Sequence, residues 1–328
     1  MTGERVHRRT YAVDVAAPAG VVYGLIADTT QWPLFVPPSI HVERLDFDGI
    51  RDRFQMWVTA GGTVKSWLSR RTLDAQAHRI DFHQEVPAAP ALALGGRWSV
   101  EARGTGRSRL TLDHEFTVAD DRPEDLSWVE RATDDNSRAE LARLKETAER
   151  WTALDSLLLT VEESVRVKGP AELVYDFLYG IADWPGQVPH VVRADVAEDR
   201  PGVQVVSMDT VWGSDPATRT AQSTQTMQST QEVRICFPHA FRIVHKQTRT
   251  PLLLEAHTGE WSVIPDETGV TALARHNVLL REEAAEAVLG RGAGIEEARH
   301  HVRELLAGQS ATVLNLAKRH AESTIRTL

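Results

Sequence analysis

Alternating apolar and polar positions run through the first third of the chain and predict a series of β-strands. Tyr11, Val13 and Val15 are apolar at every second position, as in a strand that buries one face. Short glycine-containing turns such as Asp48-Gly49 separate the later strands. The pattern predicts six further antiparallel strands, over residues 40–47, 51–60, 63–74, 79–86, 92–102 and 109–118.

Two stretches with helical spacing surround these strands in the sequence. Pro18 marks the start of the first, and apolar residues from Val21 to Ile26 follow it at helical spacing. A longer helix is predicted from about residue 123 to residue 151, with an apolar stripe formed by Leu141, Leu144, Ala148 and Trp151. This order predicts an α+β fold, in which a curved antiparallel sheet wraps around the long C-terminal helix and leaves an interior pocket.

The opening of this pattern occurs twice in the chain. Residues 13–37 match residues 165–189 without a gap at a shift of 152, and Trp32 thereby matches Trp184. Later matches need shifts of 163 and 173, which indicates a loop-sized insertion in the second copy. We therefore predict two tandem domains of the same fold, over residues 1–155 and 156–328.

Composition narrows the possible partners and compartments. The net charge of −9 and the lack of a dense Lys/Arg run argue against binding to nucleic acid or to an anionic membrane. The sequence begins without an apolar signal segment and has no stretch long enough to span a bilayer, so we expect a cytoplasmic protein. Scattered histidines such as His83 and His257 lack partners at metal-ligand spacing, and we expect neither a metal nor a cofactor.

Two histidines are placed on the apolar face of their predicted strands. His114 shares its face with Leu112 and Phe116, and His276 shares its face with Ala274 and Val278. A histidine facing a cavity can act as a general acid or base near neutral pH. A core histidine hydrogen-bonded to a neighbour is the alternative for each of them.

The predicted strand 63–74 carries the other polar residues of interest. Trp67, Ser69 and Arg71 lie on one face, and the alternation does not decide whether that face is interior. If it is interior, Arg71 keeps its charge there and favours an enolate or a polarised carbonyl oxygen. If it is exterior, Arg71 forms an ordinary surface ion pair.

The sequence resembles a known family at several of these places. The order of the elements is similar to the START/Bet v1 helix-grip fold. The opening Val-x-Val-x-x-Pro-x-x-x-Val-Tyr, the following Trp-Pro and the element Trp67-x-Ser69-x-Arg71 resemble the aromatase/cyclases of bacterial type II polyketide synthases. The tandem arrangement is similar to the di-domain members of that family.

The resemblance implies roles for individual residues. Arg71, Ser69 and His114 are implied as catalytic, and His276 is given the same role in the second copy. An acid on the closing helix is also implied, with Asp135 and Asn136 as candidates. The implied substrate-binding residues are Trp32, Phe35, Trp67, Trp98, Asn136, Trp184 and Trp261.

The second copy departs from the family pattern at one element. At the shift of 152, Trp67, Ser69 and Arg71 correspond to Arg219, Ala221 and Ser223, so the Trp-x-Ser-x-Arg element is expected to be lost there. We therefore expect the first domain to hold the main active site and the second a degenerate or accessory pocket.

Three classes of function are compatible with these expectations. The resemblance implies an aromatase/cyclase that closes the first ring of a poly-β-ketone by aldol condensation and then dehydrates it to an aromatic ring. Its implied partners are the acyl carrier protein that presents a ketoreduced chain and the other enzymes of a type II polyketide synthase. The alternative is a non-catalytic protein that carries or shields a polyketide or a lipid in the same pockets. A structural scaffold is a third possibility, and it predicts no inward-facing polar groups.

Overall fold

A computed structural model describes residues 5–60, 62–87, 89–212, 226–267 and 269–325. The chain divides into two compact units, Met1–Leu154 and Asp155–Leu328. Among the helices in these ranges, none is both long and apolar enough to cross a membrane.

The described part of the first unit contains a seven-stranded antiparallel sheet and a long closing helix. Its elements are β1 (His7–Val15), α1 (Ala19–Ala27), α2 (Trp32–Phe35), β2 (Ser39–Phe47), β3 (Arg51–Ala60), β4 (Thr63–Asp74), β5 (Arg79–Val86), β6 (Ala91–Ala102), β7 (Ser108–Val118) and α3 (Pro123–Glu149). The strand order is β1-β7-β6-β5-β4-β3-β2, so the chain meanders from β2 to β7 and ends beside β1.

The second unit repeats this arrangement after a single helical turn, α4 (Leu154–Leu157). Its elements are β8 (Leu158–Val167), α5 (Ala171–Tyr179), β9 (Val191–Arg200), β10 (Val203–Trp212), β11 (Thr226–Phe237), β12 (Arg242–Arg249), β13 (Leu254–Asp266), β14 (Gly269–Leu280), α6 (Ala285–Leu289) and α7 (Ile295–Ile325). The strand order β8-β14-β13-β12-β11-β10-β9 is the same as in the first unit.

The core of the first unit lies between the sheet and its helices. Val22 and Ile26 of α1 and Leu110 and Leu112 of β7 are fully buried, and Leu144 of α3 packs into the same cluster. The helical spacing of α1 and the alternation of β7 bring these residues to one side of their elements. The predicted α+β architecture, with an antiparallel sheet and a long C-terminal helix in each half, is confirmed.

The expectation that the second copy has lost the arginine of the Trp-x-Ser-x-Arg element is wrong, although Thr230 and Glu232 replace its Trp and Ser. Residues 219, 221 and 223 lie outside the described part of the chain, and β11, which occupies the place of β4 in the strand order, begins only at Thr226. Arg71 of β4 pairs with Asp52 of β3, and Arg234 of β11 pairs with Gln204 of β10. The inserted residues precede β11, so the shift of 163 applies and Arg234 is the counterpart of Arg71.

Candidate functional site

A cavity of about 180 Å³ lies between α3 and the sheet of the first unit. The walls are largely apolar and include Trp32, Trp67 and Trp98, while polar side chains reach the cavity from β4, β7 and α3. These polar lining residues include Ser69, Arg71, His114, Asn136, Ser137 and Glu140. A cavity with apolar walls and a few convergent polar groups is typical of a small-molecule site.

The alternation on β4 settles which face is interior. Ser69 and Arg71 are buried, whereas Arg70 is exposed and pairs with Glu85. The alternative in which Arg71 lies at the surface is therefore wrong. A purely structural scaffold predicted no inward polar groups, and Arg71 inside the first unit contradicts that prediction.

The guanidinium of Arg71 is held by four hydrogen bonds. Its Nε donates to Asp52 Oδ1 at 3.0 Å and its Nη2 donates to Asp52 Oδ2. Nη1 donates to the Ile26 carbonyl at 2.9 Å, and Nη2 donates to the Ala27 carbonyl at 2.7 Å. These carbonyls belong to the last turn of α1, which leaves them without intrahelical partners. Arg71 thus caps α1, and at most one N–H of its five is left for a ligand.

His114 lies at the wall of the same cavity and is paired with the closing helix. Its Nε2 is 3.2 Å from Ser137 Oγ, and its Nδ1 is buried without a hydrogen-bond partner in the described ranges. Burial lowers the pKa of His114 to about 4, so the imidazole is neutral at physiological pH. His114 is thus hydrogen-bonded to a neighbour and also lines the cavity, so its placement agrees with both alternatives.

Glu140 is an acid in the cavity that sequence reasoning missed. The residue as a whole is only partly buried, but its side chain lines the cavity from α3, and its carboxyl makes no hydrogen bond to the described residues. Burial raises the pKa of Glu140 to about 8, so the carboxyl keeps its proton at neutral pH. The signal was its position four residues after Asn136 and four before Leu144, on the inward face of the helix.

Of the remaining residues expected in the first site, some line the cavity and others do not. Trp32, Trp67, Trp98 and Asn136 line the cavity. Phe35 is buried in α2 but is not a lining residue, because Trp32 alone reaches the cavity from that short helix. Asp135 is exposed on α3, which excludes it as the acid of the site.

A second cavity, of about 70 Å³, lies in the second unit. Trp184, Trp261 and His276, which the resemblance implied for the second site, line it. His276 Nε2 is 2.8 Å from Ser310 Oγ, which repeats the pairing of His114 with Ser137. This cavity is less than half as large as the first, and polar side chains make up a larger share of its lining.

Arg234 of the second unit makes the same helix-capping bonds as Arg71. Its Nη2 donates to the Leu178 carbonyl at 2.5 Å, and its Nη1 donates to the Tyr179 carbonyl at 3.4 Å and to Gln204 Oε1 at 2.8 Å. The capping role is therefore common to both units. Gln204 takes the place of Asp52 as the hydrogen-bond partner, and the carboxylate nearest to Arg234 is Glu232, 3.9 Å from its Nε.

Comparison with known proteins places the chain in a family. The family model described as polyketide cyclase/dehydrase and lipid transport matches residues 6–149. The granaticin polyketide synthase bifunctional cyclase/dehydratase of Streptomyces violaceoruber is 34% identical over 97% of this chain and 95% of its own length. The chain belongs to the polyketide cyclase/dehydratase family. The actinorhodin polyketide synthase bifunctional cyclase/dehydratase of Streptomyces coelicolor is also 34% identical, over 96% of each chain.

A solved structure of this cyclase/dehydratase family covers both units. The crystal structure of the di-domain ARO/CYC BexL, from the BE-7585A biosynthetic pathway, superimposes with a TM-score of 0.83 at 40% identity. The match spans 96% of this chain and 99% of that one. The predicted tandem helix-grip fold and the predicted family are thereby confirmed.

The polar groups of the cavities define the chemistry available. Among the described residues, no group of three His, Cys, Asp or Glu side chains is placed to hold a metal ion. The first cavity combines a protonated carboxyl with a neutral imidazole in apolar surroundings. Proton transfer to and from oxygen and carbon atoms is therefore the chemistry that these side chains can supply.

Proposed function

We propose that this protein is an aromatase/cyclase that closes the first ring of a poly-β-ketone by aldol condensation and then dehydrates it. The observation that carries the proposal is the pair formed by Glu140, protonated at neutral pH, and neutral His114 in one apolar cavity. Two titratable groups whose environments move their pKa values apart in this way suit an acid and a base.

Ring closure in the first cavity needs a base that removes a proton from a carbon atom and an acid that donates a proton to an oxygen atom. His114 takes a proton from a methylene group between two carbonyls, and the resulting enolate carbon attacks a ketone further along the chain. Glu140 donates its proton to the oxygen of that ketone, which becomes the hydroxyl of the aldol product. Ser137 orients the imidazole through its bond to His114 Nε2. The walls hold the two reacting carbons together, which supplies much of the rate of an intramolecular reaction.

Arg71 and Ser69 position the substrate in this proposal. Asp52 neutralises the charge of Arg71, so the arginine offers a single N–H to a carbonyl oxygen rather than a full positive charge to an enolate. The buried hydroxyl of Ser69, two residues away on the same face of β4, offers a second donor. Acid catalysis by Glu140 then supplies the stabilisation that a free arginine would otherwise give.

The family supports the class of substrate and the partners that we propose. The granaticin and actinorhodin relatives are named as parts of polyketide synthases, which supports the other enzymes of such a synthase as partners. We extend this to an acyl carrier protein that presents a poly-β-ketone already reduced at one ketone. The cytoplasm is the expected compartment for such an assembly.

Reconstitution with a minimal polyketide synthase and a ketoreductase tests the proposal. Addition of the wild-type protein should convert uncyclised or misfolded products into an aromatised one, as measured by liquid chromatography and mass spectrometry. Glu140→Gln should lower the yield of cyclised product about 100-fold, a typical loss for a general acid. Asp135→Asn, on the exposed face of the same helix, is the matched control and should behave as wild type.

The rival function gives a different outcome in the same experiment. A carrier protein would bind the polyketide without altering the product profile. An unchanged profile together with quenching of tryptophan fluorescence by the polyketide would therefore replace the enzyme with a binding protein.

A further inference from the structure

The two cavities differ at three lining positions that are equivalent in the folds. Phe82 of β5 pairs with Gly96, and His245 of β12 pairs with Gly259. Both glycines pair in turn with the histidine of the last strand, His114 or His276. Phe82 and His245 are related by the shift of 163 residues between the two units. At this shift, Leu94 corresponds to His257 and Ser69 corresponds to Glu232. The second cavity thus carries two imidazoles and a carboxylate where the first carries Phe82, Leu94 and Ser69.

These substitutions build one connected cluster of buried titratable groups. Glu232 Oε2 is 3.3 Å from His245 Nδ1, and the ring centroid of His245 is 5.7 Å from the centroids of both His257 and His276. His257 Nε2 is 3.0 Å from His276 Nδ1. All four residues are at most 6% exposed and line the cavity. At the equivalent place among the described residues of the first unit, His114 is paired with Ser137, and Phe82 and Leu94 stand where the second unit has imidazoles.

The contacts within the cluster leave several buried polar atoms without a hydrogen bond. Five buried polar atoms of residues that line this cavity have no hydrogen-bond partner in the described ranges, namely His245 Nδ1 and Nε2, His257 Nδ1, Gln247 Oε1 and Gln309 Nε2. Glu232 is near His245 Nδ1 but is not aligned for a hydrogen bond. Buried polar atoms are nearly always paired, so this set indicates a ligand with several hydroxyl or carbonyl oxygens.

The charge of the cluster comes from Glu232 and Arg234. Burial by itself raises the pKa of Glu232, but His245 and Arg234 more than offset this and lower it, so the group is a carboxylate. Burial, and then the neighbouring imidazoles, lower the pKa of His257, and burial lowers the pKa of His276 to about 3. The cavity therefore combines one carboxylate beside His245 with two neutral imidazoles.

We propose that the second cavity is a separate acid–base site that removes water from a cyclised β-hydroxy ketone. This rests on the proposed function, because the first cavity must supply the aldol product. His245, whose Nδ1 the charge of the Glu232 carboxylate orients from 3.3 Å, is the base. His257 is the neutral imidazole that donates to the substrate carbonyl, as neutral imidazoles do in enolisation.

The elimination balances without any further reactant. His245 takes the proton from the carbon beside the carbonyl, and the C–H electron pair forms an enolate whose oxygen accepts a hydrogen bond from His257. The enolate then reforms the carbonyl, the C–O bond to the hydroxyl breaks, and a C=C bond forms. His245 returns its proton to the leaving hydroxyl, which departs as water. The cavity of about 70 Å³ suits one ring better than a folded chain, and only one ring takes part in this step.

The test uses the full-length protein and variants that copy the first unit. His245→Phe and His257→Leu install the residues found at positions 82 and 94. In the reconstituted synthase each should accumulate the cyclised β-hydroxy ketone, heavier than the product by one water, and should slow its dehydration about 100-fold. Glu232→Gln tests the positioning role and should shift the pH profile of this step. His239→Phe, at an exposed turn, is the control and should match wild type.

The outcomes separate this proposal from the proposed function. Accumulation of uncyclised chain by Glu140→Gln, with cyclised hydroxy ketone from His245→Phe, supports both. A wild-type product profile from His245→Phe and His257→Leu overturns the second site and leaves the first intact. Uncyclised chain from these variants also overturns it, since the cluster would then serve ring closure. One equivalent of a transition metal in the purified protein, lost in His257→Leu, would make the cluster a metal site instead.

A folding defect is checked separately. His245→Gln keeps a polar side chain beside Glu232 but lacks the ring nitrogens, so it tests the base if His245→Phe does not fold. Wild-type circular dichroism together with unchanged dehydration in His245→Gln would refute the role of His245.

Discussion

Arg71 and Asp52 form a bidentate ion pair in which each side chain is only about 1% exposed. Asp52 uses both carboxylate oxygens, and Arg71 spends its other bonds on the end of α1. A pair this deeply buried is costly to break, because the remaining partner keeps its charge without water. Loss of activity on changing Arg71 therefore does not measure catalysis unless stability is measured as well.

Arg71→Ala should lower the free energy of unfolding by about 3–5 kcal/mol, the usual cost of leaving a buried charge unpaired. Urea unfolding followed by circular dichroism measures this. Arg70→Ala, next to it but exposed and paired with Glu85 at the surface, should change stability by less than about 1 kcal/mol. Equal effects of the two variants would contradict the burial of the ion pair.

The protonated state of Glu140 predicts a pH dependence of both activity and stability. Its pKa is about 8 in the folded protein against an ordinary value of 4.5, so the folded state binds this proton more tightly than the unfolded state. The stabilising contribution is complete below about pH 4.5 and is lost as pH rises towards 8. Ring closure should likewise decline above about pH 8, where the acid loses its proton.

Glu140→Gln isolates this effect. The variant should lose the decline in stability between pH 4.5 and 8 and should be the more stable protein at pH 8, while it loses ring closure. Melting temperatures of both proteins across this pH range measure the difference. A variant with the same pH profile as wild type would show that the Glu140 carboxyl is ionised at neutral pH.

The buried histidines of the second unit predict sensitivity to acid. The pKa of His276 is lowered to about 3, and that of His257 is well below 6.5. Below pH 6.5 the unfolded chain binds protons that the folded cluster does not. As the pH falls, the free energy of unfolding should therefore decrease by about 1.4 kcal/mol per pH unit for each such histidine. His257→Leu should reduce this slope. His239→Leu, exposed at a turn, should leave the slope unchanged, and an equal reduction from both variants would contradict the assignment.

Gly96 and Gly259, which pair with Phe82 and His245 on the neighbouring strands, should differ in how much a substitution by alanine destabilises the fold. A Cβ at Gly96 would lie 1.9 Å from the Asp113 carbonyl oxygen, whereas a Cβ at Gly259 would come closest to the His245 ring, at 2.2 Å. Gly259→Ala should destabilise by about 1–3 kcal/mol, and Gly96→Ala by more, because backbone moves less readily than a side chain. Gly24→Ala, in open space on α1, should be neutral or slightly stabilising, and thermal unfolding compares the three.

Much of the fold was predictable because its signals are local. The predicted strands 51–60, 63–74 and 79–86 coincide with β3, β4 and β5, since alternation and glycine turns fix strand ends within a few residues of chain. The duplication gave the second unit the same architecture. These features depend on neighbours in sequence, which is why they can be read without a structure.

The site was less predictable because it depends on distances between strands. The alternation of side chains along β4 placed Arg71 on the same face as Ser69. Only the register between β3 and β4, which sets Asp52 opposite Arg71, shows that the charge of the arginine is neutralised. Arg234 was missed because the residues inserted before β11 break the shift of 152. Glu140 was missed because an acidic residue on a helix is usually solvated, and the space beside it is created by the curvature of the sheet.

Gly259 has a consequence for how new chemistry can arise in this scaffold. Since Gly96 and Gly259 leave the same vacancy in the middle of the sheet, the ring above it can be exchanged between phenylalanine and histidine without rebuilding the backbone. A duplicated chamber can therefore gain or lose a titratable group by one side-chain exchange while its twin keeps the original reaction. For protein engineers, Phe82→His is accordingly the first substitution to try when the larger chamber is to be given a second base.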